Sequence, residues 1–371
     1  MAGAPIKNGV VLIKAGKITA VGPESGITVA AGTKTLRAKV VTPGLIDAHT
    51  AVGFSGLLNQ PHDQDQFDRT EPMQPELRAI DAYNARDPLV AWVRGFGVTT
   101  IHTGHAAGPT ISGQTMIAKT RGETVDEAVM VPAAMVAAHL GTSARSGPKA
   151  PGTRAKSLAL LRAELTRAVE YRNKRASAAA ADKPELNLRL ETLTGVLDGK
   201  LPLLVTADSH QEIVAALHLQ QEFGLRLVLD SAADAHLVRD AIKAARVPVL
   251  VHPTMTRVAG ERRNASFTTA AALRESGIPI ALQSGFEDYV PKTRVVLFEA
   301  AIAAANGLTF DRALGSITID AARILGIDAR VGSLEIGKDG DVALYDGDPF
   351  EYTTHCVGVA IDGVVVSDQP R

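Results

Sequence analysis

Roughly eight short apolar runs recur through the middle of this 371-residue chain with helical stretches between them, and that alternation restricts its fold more than any other feature. The runs are the stretch from Val40 to His49, then Val98–His102, Gln114–Ala118, Val129–Val131, Leu203–Thr206, Leu225–Leu229, Val247–His252 and Ile278–Leu282. Glu212–Phe223 and Ala235–Ala245 repeat apolar residues at the spacing of an amphipathic helix. Eight strands alternating with helices close a parallel sheet on itself, so the expected class is α/β, a (β/α)8 TIM-like barrel over residues 41–330. Residues 140–200 break the rhythm with a Gly/Ser/Pro/Lys loop and an alanine- and arginine-rich helix from about Thr153 to Ala181, expected as an insertion. A solvated face, a lid or an oligomer contact would each suit it.

The ends of the chain have another texture. Val10–Ile13, Ile18–Gly22, Val342–Tyr345 and Val357–Val366 are β-branched runs punctuated by glycine, as in antiparallel hairpins. Neither end supplies enough strands to bury two sheet faces alone, so residues 1–40 and 331–371 are expected to form one composite β-sandwich domain.

The totals narrow the partners. With 39 basic and 40 acidic residues the net charge is −1, which gives no electrostatic case for nucleic acid or a membrane surface. A small-molecule substrate fits better, and a homo-oligomer is compatible. Cys356 is the single cysteine, so neither an intrachain disulfide nor a cysteine metal cluster can form. The first residues lack the pattern of a signal peptide and no apolar run reaches the ~20 residues of a membrane span, so a cytoplasmic protein is expected unless a leader has been removed.

In Pro43-Gly44-Leu45-Ile46-Asp47-Ala48-His49-Thr50-Ala51, two apolar residues precede Asp47 and His49, which share one side of an extended segment. This stretch resembles the first barrel strand of the amidohydrolase superfamily, Pro-Gly-Leu-Ile-Asp-x-His-x-His, except that Ala51 stands at the last histidine. Asn8-Gly9-Val10 with Gly16–Gly22, Thr318–Ile327 and Gly332–Asp341 are similar to the family's opening hairpin, closing helix and returning strands, in its imidazolonepropionase-like branch.

The resemblance implies a metal-bound hydroxide attacking a carbonyl carbon, with ligands from the ends of strands one, four, five, six and eight. Position by position, His49 matches, while Ala51, Thr206, Ser231 and Gly285 stand where ligands or the catalytic aspartate are expected, and Met130–Met135 holds no bridging lysine or glutamate. The standard metal site is therefore expected to be absent. Other polar groups fall at strand ends. His49, His102 and His252 would form a rearranged site for zinc or manganese, if a divalent metal is used at all. His49, His102, Asp208 and Glu287 are the candidate catalytic groups, with His105, Arg69 and Gln283 for binding substrate. His139, His210, His218, His236 and His355 are expected to be structural or exposed. Two functions stay open: a hydrolase acting on a non-peptide carbon–nitrogen bond through a degenerate metal site, or a catalytically inactive amidohydrolase-like protein that binds a small molecule or serves a structural role.

Overall fold

The strand carrying His49 is buried along its whole length, as a strand covered on both faces must be. The computed structural model describes residues 3–58, 60–147, 149–177, 183–287 and 294–371. In chain order its strands begin with the hairpin β1 (Gly9–Lys14) and β2 (Lys17–Pro23), followed by β3 (Val40–Pro43). The central series is β4 (Leu45–Thr50), β5 (Val98–Thr103), β6 (Ile111–Gln114), β7 (Met116–Lys119), β8 (Val129–Val131), β9 (Val136–His139), β10 (Leu203–Thr206), β11 (Leu227–Ser231), β12 (Val249–Val251) and β13 (Ile280–Leu282). The chain ends with β14 (Val342–Tyr345), β15 (Cys356–Ile361) and β16 (Val364–Ser367).

Two central sheets, ordered β13-β12-β11-β10-β9-β6 and β4-β5-β7-β8, meet at both ends. At one end, β6 and β7 are halves of a single run, Ile111–Lys119, that crosses from one sheet to the other at Thr115. At the other, the Gly285 amide donates to the His49 carbonyl at 3.0 Å, and both the amide and the hydroxyl of Ser284 donate to Asp47. Ile46, Ile117, Leu204, Val228, Leu250 and Ala281, one from each of six strands, fill the interior, closed below by Ala321, Leu325 and Val331.

Two expectations about the strands are corrected. Gln114–Ala118 belongs to an antiparallel run, with β7 reversed against β5 and β6 against β9. Val129–Val131 is an edge strand on β7, and the place beside β10 belongs to Val136–His139. That segment, Val-Ala-Ala-His, has little β propensity, and its strand conformation comes from burial between neighbours. The boundary between terminal and central units falls later than Val40, because β3 pairs with β14. Gly44 makes the crossing: a Cβ there would lie 2.1 Å from Thr99 Oγ1, so only glycine permits this approach.

Helices Arg154–Ser177 and Leu188–Leu197 occupy most of the stretch between β9 and β10; the expected helix end at Ala181 lies outside the described residues. The face Ser157, Leu161, Leu165, Ala168 and Tyr171 is buried, so the long helix packs inward rather than standing free in solvent. No helix among the described residues is long and apolar enough to cross a membrane.

The antiparallel sheet β16-β15-β14-β3 combines both termini, and Val11 and Ile13 of the hairpin pack on Val342, Leu344 and Ala360. Lys119, buried at the end of β7, ties this unit to the centre: its Nζ lies 2.7 Å from Asp339 and 3.2 Å from Asp341, and it also donates to Asp362. Removing the cation leaves buried carboxylates facing one another. Lys119→Ala should therefore cost about 3–5 kcal/mol, read as a fall in the urea unfolding midpoint.

Candidate active site

A buried carboxylate sits where the strand ends converge. Asp230, on β11, is 3% exposed, and it accepts hydrogen bonds from Thr206 Oγ1 of β10 at 2.6 Å and from Gln283 Nε2, just past β13, at 2.9 Å. His49 Nδ1 of β4 lies 2.9 Å away. Burial opposes the charged carboxylate, yet the His49 charge and these three bonds hold its pKa at about 2. Burial likewise opposes a charged His49, but Asp230 outweighs it and lifts the imidazole above 6.5. The two form a buried ion pair at the floor of a cavity of about 440 Å³.

A second carboxylate lines the same cavity. Asp208 accepts from Ser231 Oγ at 2.5 Å and from Arg262 Nε at 3.0 Å. Ser231 and Ala232, both non-glycine, take left-handed conformations with φ of 63° and 51°. Such residues cost of order 1–3 kcal/mol each and persist where surrounding structure enforces them. Here the turn swings the Ser231 hydroxyl onto Asp208 while Asp230 keeps its three donors.

The cavity walls come from loops. Arg262 and Glu261 follow β12, and Glu287 follows β13 and pairs with Arg294 at 2.8 Å. Arg69 is at the rim with its guanidinium 4.8 Å from the Phe67 ring centre, and Phe67 meets Phe286 edge-on at 5.3 Å. His139 Nε2 lies 2.7 Å from Ser143 Oγ.

Of the residues singled out from sequence, His49, Asp208, Glu287, Arg69 and Gln283 line this cavity. His102, His105 and His252 are not among its lining residues. His102 lies inside β5 rather than at its end, with Nδ1 2.7 Å from the Ala48 carbonyl and Nε2 2.7 Å from Thr115 Oγ1. Burial, together with the nearby His49 charge, drives its pKa down to about 3. It is a neutral cross-link. His105 is packed beside Gly113 and Phe54, with its pKa lowered by burial to about 4. His252 Nδ1 lies 2.8 Å from its neighbour's carbonyl at Pro253.

Asp230, His139, Ser143, Arg257, Glu261 and Arg262 also line the cavity and escape the sequence reading. Asp230 did carry a signal, a lone carboxylate ending the apolar run Leu227-Val228-Leu229, but the turn at Ser231 shifts the facing that strict alternation predicts. His139, expected as a structural or exposed histidine in helical surroundings, instead ends β9 and reaches the cavity.

The donors present do not fit a divalent metal. Both nitrogens of His102 are engaged, and alanine, threonine, serine and glycine stand at Ala51, Thr206, Ser231 and Gly285. Among the described residues, no three His, Cys, Asp or Glu side chains converge as a ligand set, so the expected trio His49, His102 and His252 does not form one.

The chain belongs to the amidohydrolase family, whose model matches residues 40–367, and within it resembles the imidazolonepropionase branch. An imidazolonepropionase from Maricaulis maris is 26% identical over 364 residues, covering 90% of this chain and 86% of that protein. The amidohydrolase tasK of Hapsidospora irregularis is 25% identical over 397 residues, and the match takes in 98% of this chain but 40% of that longer protein. The crystal structure of an amidohydrolase from Thermotoga maritima superposes with a TM-score of 0.90 at 27% identity, over 97% of this chain and 95% of that one.

The ion pair has a defined pH window. Asp230 titrates below its ordinary 3.8, so its contribution to stability is complete above about pH 4 and is lost as pH falls toward 2. His49 titrates above 6.5, so its contribution is complete below that value and is lost as pH rises through the folded-state pKa. The stability difference between wild type and Asp230→Asn should peak between about pH 4 and 6.5, at roughly 3 kcal/mol. Urea unfolding at pH 3, 5.5 and 8 measures it; a difference independent of pH would contradict the pairing.

Proposed function

We propose that this protein is a hydrolase that cleaves a non-peptide carbon–nitrogen bond of a small molecule, in the mouth of a (β/α)8 TIM-like barrel with one reversed strand. The two termini form a composite β-sandwich beside it. The observation that carries the reading is the buried His49–Asp230 pair on the floor of a cavity sized for a small ligand.

In this reading His49 is the acid–base group. With Nδ1 engaged by Asp230, Nε2 is the atom it offers a substrate, and the raised pKa favours a proton there near neutral pH. That proton can pass to the nitrogen that leaves as the bond breaks. Asp230 holds the ring and balances its charge, as a positioning residue. Gln283 and Thr206 keep Asp230 in place, and Arg262, held by Asp208, supplies a fixed positive edge for a substrate oxygen. Glu287 and Arg69 frame the rim. No step is assigned to a metal, because the donor set does not fit one.

The replacements at Ala51, Thr206, Ser231 and Gly285 favour a second reading, in which the same cavity binds a small molecule without turning it over. A panel of lactams, cyclic imides and cyclic ureides, followed by loss of ring absorbance, separates the two. Turnover that His49→Ala lowers by about 100-fold or more is expected. Saturable binding by calorimetry with no turnover of any panel member would overturn the hydrolase reading.

A further inference from the structure

A serine and a histidine in hydrogen-bond contact face the cavity that His49 lines. Ser143 Oγ lies 2.7 Å from His139 Nε2. We propose that Ser143 is a nucleophile and His139 its general base, and that the pair forms an acyl-serine with activated esters or strained cyclic amides. The inference rests on the cavity being the site of chemistry, and it supplies the attacking group that the His49–Asp230 pair lacks.

Three features prepare the pair for this role. The serine is exposed while the imidazole is 6% exposed, so a substrate can reach Oγ as the base stays shielded from water. Burial pushes the His139 pKa down to about 4, against the pull of Asp208 and Glu261, which leaves the ring neutral near pH 7, the form that accepts a proton, and makes it a weak base. The loop is held on both sides of the serine. Thr142 donates its amide at 2.8 Å and its hydroxyl at 2.7 Å to Glu261, and Arg145 bonds Glu261 at 2.7 Å and Glu212 at 2.9 Å. Gly141 keeps room for the ring: a Cβ there would lie 2.8 Å from both His139 Cε1 and Glu261 Oε2. Among the described residues His139 Nδ1 is buried without a hydrogen-bond partner, so the arrangement there is a dyad with no orienting carboxylate behind the ring.

The step balances with water as the sole co-reactant. Ser143 Oγ bonds to the carbonyl carbon as its proton passes to His139 Nε2, and the leaving nitrogen or oxygen takes its proton from His49 as that bond breaks. Water then attacks the acyl-serine and gives one proton to His49, and His139 returns its proton to Ser143 Oγ as the acid departs.

A fluorophosphonate probe tests the proposal without knowledge of the natural substrate, since its P–F bond breaks when serine attacks phosphorus. Peptide mass spectrometry should find one label per chain on Ser143, and none there in Ser143→Ala. His139→Gln should label about 100-fold more slowly, and Gly141→Ala, which presses on the ring without removing it, should also slow the reaction. Absence of label on folded wild-type protein would overturn the inference, as would an unchanged rate in a folded His139→Gln variant. Label on Ser143 with no carbon–nitrogen turnover would support this inference while the hydrolase reading fell. Turnover dependent on His49 with Ser143 unlabelled would sink this inference alone.

Discussion

A carboxylate cannot be kept ionised in a protein interior unless other groups replace the water it gives up, and Asp230 imposes that demand on four strand ends at once. Its donors come from β4, β10 and the turn after β13, while the carboxylate itself is on β11. Removing any one donor would leave a buried charge under-solvated, so the geometry of the mouth and the protonation of His49 are held by one constraint. A metal ion would join the same strand ends by collecting their ligands. Here a negative centre collects donors, and the roles of ligand and hub are exchanged.

Much of the scaffold is legible in the sequence because burial on both faces writes itself as apolar runs. β10, β11 and β13 are continuous or nearly continuous in this sense, β4 and β5 mix apolar with polar residues, and the glycine-punctuated ends announce hairpins. His49 was visible for the same reason, as a polar residue closing an apolar run. What stayed hidden depends on contacts distant in sequence. Nothing near His102 indicates that Ala48 and Thr115 occupy its two nitrogens. Arg262 reaches Asp208 across 54 positions, from a loop with no periodicity to read. The direction of Gln114–Ala118 was equally concealed, because a strand's residue pattern is the same whichever way it runs.

The terminal unit is fastened by a different kind of chemistry. Lys119 enters from a central strand, and its three carboxylate partners are supplied by residues 339–362 of the returning chain. Both ends of the molecule are thus organised by buried charge, negative at the mouth and positive at the base. The run Ile111–Lys119 connects them: its midpoint residue Thr115 bonds His102 beneath the mouth, and its last residue is the lysine.

Reversal of that run has an architectural cost elsewhere. Two parallel neighbours are joined by a crossover helix that shields the outside of the sheet, but β5 reaches β6 directly through residues 104–110 and brings no helix with it. The bare outer flank is covered by borrowed material. Thr192, on the helix Leu188–Leu197, accepts a hydrogen bond from Gln114 at 3.0 Å, and Leu193 and Val196 of that helix are fully enclosed. The additional helices between β9 and β10 and the missing crossover after β5 are therefore two halves of one exchange. A descendant that lost the first would have to restore the second.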